Sequence, residues 1–113
     1  MEKLQQITTA YAQTADGRWL NELDWKSVPV EHCNLPFGIV GTYSFGKIKL
    51  LHCPDPGLIF PVYVHELRHR WQIKKQPVKY LIGKLYRPLI ENDADEQEHL
   101  AEQWYMEEYD VHT

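Results

Sequence analysis

Cysteine is scarce in this chain. Cys33 and Cys53 are the only two among 113 residues, and their separation rules out the C-x-x-C spacing of zinc ribbons and dithiol redox sites. Long apolar runs are missing as well. No stretch of 18 apolar residues occurs, which excludes an ordinary membrane-spanning helix. The start, Met1-Glu2-Lys3-Leu4-Gln5-Gln6, lacks the basic and apolar regions of a signal peptide, so a cytoplasmic location is expected. Positive charge is not in surplus. The net charge of −4 gives no basis for nucleic-acid binding. Disorder is excluded by the opposite kind of evidence. Four Trp, seven Tyr, three Phe and 43% hydrophobic residues can fill a modest core, and the length suits one domain spanning residues 1–113.

Without a signal peptide, the two thiols are expected to be reduced. Each follows a histidine, His32-Cys33 and His52-Cys53. If the intervening chain folds back, these four could form a second metal site. Inert thiols on strands are the simpler expectation.

What is present is concentrated in Val64-His65-Glu66-Leu67-Arg68-His69, an H-E-x-x-H pattern. On a helix, residues four apart share a face. His65 and His69 would then aim two imidazoles at one point, as a tetrahedral Zn²⁺ site requires. Glu66, one position round, could take a proton from a metal-activated water. A second pattern follows: Glu91-Asn92-Asp93-Ala94-Asp95, or E-x-x-A-D. Glu91 and Asp95 also share a helix face. A carboxylate is the usual third ligand of a hydrolytic zinc site. A ligating histidine usually gives its other N–H to a carboxylate or carbonyl. Glu91 is thus the candidate ligand and Asp95 the candidate acceptor behind a histidine. An acidic, solvated helix face is the competing reading, because nine acids and no Lys or Arg lie from Glu91 to the end.

The two motifs together resemble the gluzincin branch of the zincin metallopeptidases, and most of all the small minigluzincins. The resemblance covers about residues 38–105. It implies one zinc ion bound by His65, His69 and Glu91, with Glu66 as general base and Asp95 orienting a histidine. It also implies a peptide or protein substrate. The metzincin pattern does not fit, since its Gly and third His positions hold Gln72 and Lys75.

The remaining chain reads as scaffold. Leu4, Ile7, Tyr11 and Ala15 predict a helix over 2–15. Trp19, Leu20, Leu23 and Trp25 form an apolar cluster, suited to another short helical turn. Strands are expected within 27–53, including Ile39–Phe45 and Lys47–His52 around Gly46. Gly38, Gly41 and Gly46 suit either turns or close backbone approach. Pro54-Asp55-Pro56-Gly57 breaks the sheet and starts the motif helix, Pro61 places the beginning of its regular part near Phe60 or Pro61, and Gln76-Pro77 ends it after Lys75. Further helices are expected over Val78–Arg87 and Leu89–Tyr109. From Arg68 to Arg87 there are seven basic residues and no acid. This block suits interhelical ion pairs with the acidic helix, or a patch for an anionic partner. The fold class expected is α+β: a small zincin-like domain with a short, mostly antiparallel sheet on the active-site helix and a C-terminal helical pair.

The function these readings favour is zinc-dependent peptide hydrolysis. The oxyanion would need a second electrophile; Tyr86 is the candidate chosen, with Tyr80, Tyr105 and His99 beside it. The alternative is a catalytically silent, zinc-stabilised protein-binding module of a toxin, phage or regulatory system.

Overall fold

The computed structural model describes residues 2–44, 46–52 and 55–110. Its axis is helix α2, Pro56–Lys75. Asp55 caps it, accepting a hydrogen bond from the Gly57 N–H at 2.9 Å, and Pro56 occupies the first turn. These are strong start signals. They carry the helix past Pro61, so its regular part begins four residues or more before the expected boundary. Pro61 has no N–H for the carbonyl of Gly57, and the helix tolerates that loss in its second turn. The far end is as expected: Gln76 closes on Gln72 and Pro77 follows.

α2 is buried on nearly every side. Ile59, Phe60, Tyr63, Val64 and Leu67 enter the apolar core. His65, Glu66, His69 and Gln72 are buried as well. A helix with four buried polar residues on neighbouring positions needs partners for each of them.

Three short strands lie on α2: β1 (Val30–Cys33), β2 (Gly41–Ser44) and β3 (Lys47–Leu51). Their order is β1-β3-β2. β2 pairs antiparallel with β3, in register Thr42 to Lys49 and Tyr43 to Ile48. β1 pairs parallel with β3, Val30 to Ile48 and His32 to Leu50. The sheet is therefore mixed, and the expectation of a mostly antiparallel sheet is corrected. The reason lies in β3. Ile48 and Leu50 are its only fully buried residues, so this strand takes the centre and β1 joins its other side in the same direction. Lys47 pairs with Glu31 across that parallel join. β2 is left as an edge.

α1 spans Glu2–Tyr11 and stops short of residue 15. The Thr14 hydroxyl donates to the Tyr11 carbonyl at 2.7 Å and accepts from the Gly17 N–H at 3.0 Å. This local bonding takes the chain out of the helix. The Trp19–Trp25 cluster forms 3₁₀ turns at Arg18–Glu22 and Trp25–Ser27, with Leu20 and Trp25 buried.

α3 is only Pro77–Gly83, and residues 84–87 form turns before α4, Pro88–Trp104. α4 packs Ile90, Ala94 and Ala101 inward. A π-helical turn, Tyr105–Tyr109, continues it. α3 turns its bare Gly83 toward Ile90, and its apolar residues Val78, Leu81 and Ile82, with Leu85 and Tyr86 after it, are 51–92% exposed. Among the described residues no helix is long and apolar enough to cross a membrane.

Candidate functional site

The H-E-x-x-H residues sit mid-way along α2, and E-x-x-A-D sits in the first turns of α4. The return through α3 lays these two helices side by side. Glu91 then straddles the two imidazoles. Its Oε2 lies 3.1 Å from His65 Nε2 and its Oε1 lies 3.1 Å from His69 Nε2. Ligand atoms about 2.0–2.1 Å from a tetrahedral Zn²⁺ are about 3.3 Å apart. The spacing between these donors is close to that value.

Gln72 donates to the Ile90 carbonyl at 2.8 Å and to Asp93 Oδ2 at 2.9 Å. Neither of those oxygens can donate. Gln72 Oε1 therefore faces His69 Nδ1, 2.9 Å away, as an acceptor, and His69 carries its proton on Nδ1. Burial holds the His69 pKa below its ordinary value, against the opposing bond from Gln72 and the charge of Glu91. In the neutral ring, Nε2 is then an acceptor 3.1 Å from a carboxylate oxygen, with no aligned hydrogen bond between them. A proton shared between His69 Nε2 and Glu91 Oε1, 3.1 Å apart, or a bound cation would satisfy both atoms, and nitrogen and oxygen donors of this kind are ones a divalent metal ion takes.

His65 is supported differently. Its Nδ1 lies 2.9 Å from Glu98 Oε1 and 3.2 Å from Asp95 Oδ1, but no aligned hydrogen bond forms there. Burial works against charge on this ring. The close approach of the Glu98 carboxylate and the charges of Glu66, Glu91 and Glu98 outweigh it and raise the pKa to about 9. Asp95 thus stands behind His65, where the motif places it, and Glu98 stands with it.

Glu66 is buried beside the two histidines. One donor atom each from His65, Glu66 and His69 lies within 4.8 Å of the others. Burial raises the Glu66 pKa to about 7; the His65 charge opposes this and Glu91 and Glu98 reinforce it. A carboxyl with that pKa is matched to proton transfer near neutrality. Gly41 of β2 makes room for it. A Cβ at position 41 would lie 2.6 Å from Val62 Cγ1 and 3.3 Å from Glu66 Oε2. The edge strand can approach Glu66 because that side chain is absent.

These groups open into a cavity of about 200 Å³, lined by the two histidines, Glu66, Glu91, the β2 residues 41–43, Tyr80, Lys84, Arg87 and Ile90. Tyr80 stands edge-on to His69, ring centroids 6.3 Å apart. Tyr86 is exposed and is not part of that lining. Tyr105 packs against Gly57 at the other end of α2, and His99 is exposed on α4.

Several supporting residues were not assigned from the motifs. Gln72 lies three positions after His69, a spacing that puts both on one helix face. Asp93 occupies an unspecified place within E-x-x-A-D. Arg68, also inside the first motif, gives Asp93 two bonds, 2.7 Å from Nε and 3.2 Å from Nη2. Its guanidinium stacks on Trp71, 3.7 Å from the ring centroid. The pairing of His32-Cys33 with His52-Cys53 is only partly visible. The His52 N–H donates to the Cys33 carbonyl at 3.1 Å, and Cys53 lies outside the described residues. No family model, curated protein or solved structure matches this chain.

Proposed function

We propose that this domain is a zinc-dependent peptidase of the gluzincin kind, with His65, His69 and Glu91 as ligands. The observation that carries the reading is the Glu91 carboxylate set between two Nε2 atoms, with one oxygen 3.1 Å from each. A zinc ion held there would supply a Lewis acid that acidifies water and polarises a carbonyl.

The chain's own residues supply the rest. Glu66 holds a proton acceptor at the cavity floor, away from bulk water. It takes a proton from the attacking water and returns it to the leaving amine. β2 offers an unpaired edge beside it, suited to an extended peptide. Tyr80 is the tyrosine that lines the cavity, and its hydroxyl is the better candidate than Tyr86 to stabilise an oxyanion.

The test is zinc content together with peptide cleavage. Wild type should bind one zinc per chain and cut peptides. Glu66→Gln should keep the zinc and lose about 10²–10⁴-fold in kcat. Stoichiometric zinc with no cleavage across broad peptide libraries would move the assignment to a zinc-stabilised binding module.

A further inference from the structure

The cavity above Glu66 carries two cations, Lys84 and Arg87, three positions apart in the turns that join α3 to α4. Arg87 gives one N–H, from Nη2, to Glu91 Oε1 at 3.0 Å. Its other guanidinium N–H groups form no bond among the described residues. Lys84 lies with its Nζ 5.2 Å from the Tyr80 ring centroid, and that ring stands against His69. Lys84 thus sits on the wall of the cavity that holds the candidate reacting centre. Lys84 has no carboxylate partner among the described residues; Lys26, Lys49, Arg70 and Lys79 share that state, but of these five only Lys84 lines the cavity that holds His65, Glu66 and His69. Lys47, Arg68, Lys75 and Arg87 each have one.

A cation left unpaired at a cavity wall, in a protein with surplus acid, is a binding group for an incoming anion. An ammonium and a guanidinium on one cavity wall each offer donors to a carboxylate oxygen. A phosphate dianion would also meet the charges of Glu66 and Glu91 in the same small space. We propose that Lys84, assisted by Arg87, forms a carboxylate-binding subsite, so that the protein acts on peptides bearing an acidic group next to the bond that is cut. This rests on the peptidase reading for its consequence, while the binding step can be measured without turnover. The acidic group has two sources, an Asp or Glu side chain or a free chain end.

The probes are alanine-based hexapeptides with Glu, Gln or Lys at the third position, each with a free or an amidated C-terminus. Binding is measured by calorimetry to the metal-free protein and to zinc-loaded Glu66→Gln. Cleavage by the zinc-loaded wild type is read by mass spectrometry. The Glu peptide, or the free-ended one, should bind about tenfold more tightly than its uncharged counterpart at low salt. Dependence on the third residue assigns the side chain; dependence on amidation assigns the terminus. The preference should vanish in Lys84→Met and turn toward the Lys peptide in Lys84→Glu. Lys84 is exposed, and unchanged melting and zinc content confirm that these variants fold. Equal binding of charged and uncharged peptides overturns the subsite. So does a preference that survives Lys84→Glu, or a failure of every peptide to bind. Carboxylate preference without any zinc-dependent cleavage leaves the subsite standing and removes the peptidase reading alone.

Discussion

His65 and His69 are one helical turn apart, yet the protein backs them in opposite ways. Behind His69 lies a chain of aligned hydrogen bonds, buried at Gln72 and part-buried beyond it at Asp93 and Arg68. Behind His65 lie two carboxylates, Asp95 at 65% side-chain exposure and Glu98 at 34%, within ion-pair distance but not aligned. One imidazole has its tautomer set by geometry in a dry environment. The other is held by charge at the edge of solvent. Aligned bonds in a low dielectric are worth more, and losing one leaves an orphan behind. Exposed charges are screened and replaceable.

The comparison fails if the two sides respond alike, so the first experiment cuts the dry side. Gln72→Leu removes the acceptor behind His69 and takes one hydrogen bond each from the Ile90 carbonyl and Asp93. Zinc affinity should fall about 10–100-fold by competition with a chelating dye, and stability by about 1–3 kcal/mol by denaturant titration. Asp93→Asn comes next. It keeps the shape but takes the charge from Arg68, and should cost about 1–3 kcal/mol with a smaller loss of zinc affinity. On the wet side, Asp95→Asn or Glu98→Gln alone should change zinc affinity by less than about tenfold, and more at low salt than at high. If either one matches Gln72→Leu, the two-sided picture is wrong.

His32 supplies the smallest effect and the baseline. It lies on β1 at the sheet, away from the cavity, and burial pushes its pKa below the ordinary value. The unfolded chain therefore takes up a proton first. Its contribution to stability is complete above the unfolded pKa, about 6.5, and is lost as pH falls below that toward the folded pKa. His32→Gln should flatten the fall in melting temperature between about pH 7 and 5 and leave zinc binding unchanged.

The motifs announce much of this arrangement. Helical spacing alone predicts that His65 and His69 share a face, and that Glu91 and Asp95 share another. Glu98 lies three positions after Asp95, on the same helical face, and the sequence does not show its partner. Gln72 stood in view as the residue that broke a rival pattern; its amide gains a role once α4 lies beside it. Three features resisted sequence reasoning. Asp55 and Pro56 start α2 as a regular helix despite Pro61, because a cap outweighs one missing hydrogen bond. β1 pairs parallel with β3, because burial of Ile48 and Leu50 chooses the central strand. The apolar face of α3 points outward, and periodicity identifies a face without saying which way it looks.

The histidine–carboxylate contact at the heart of the site joins residues only 26 positions apart. A cation seated there would clip together a short helical hairpin, and closing so small a loop is entropically cheap. The hairpin could then assemble early, ahead of the more distant packing of α1, with the ion acting as a folding nucleus. By the same logic this cassette could move between host scaffolds as a unit, since every donor travels within it.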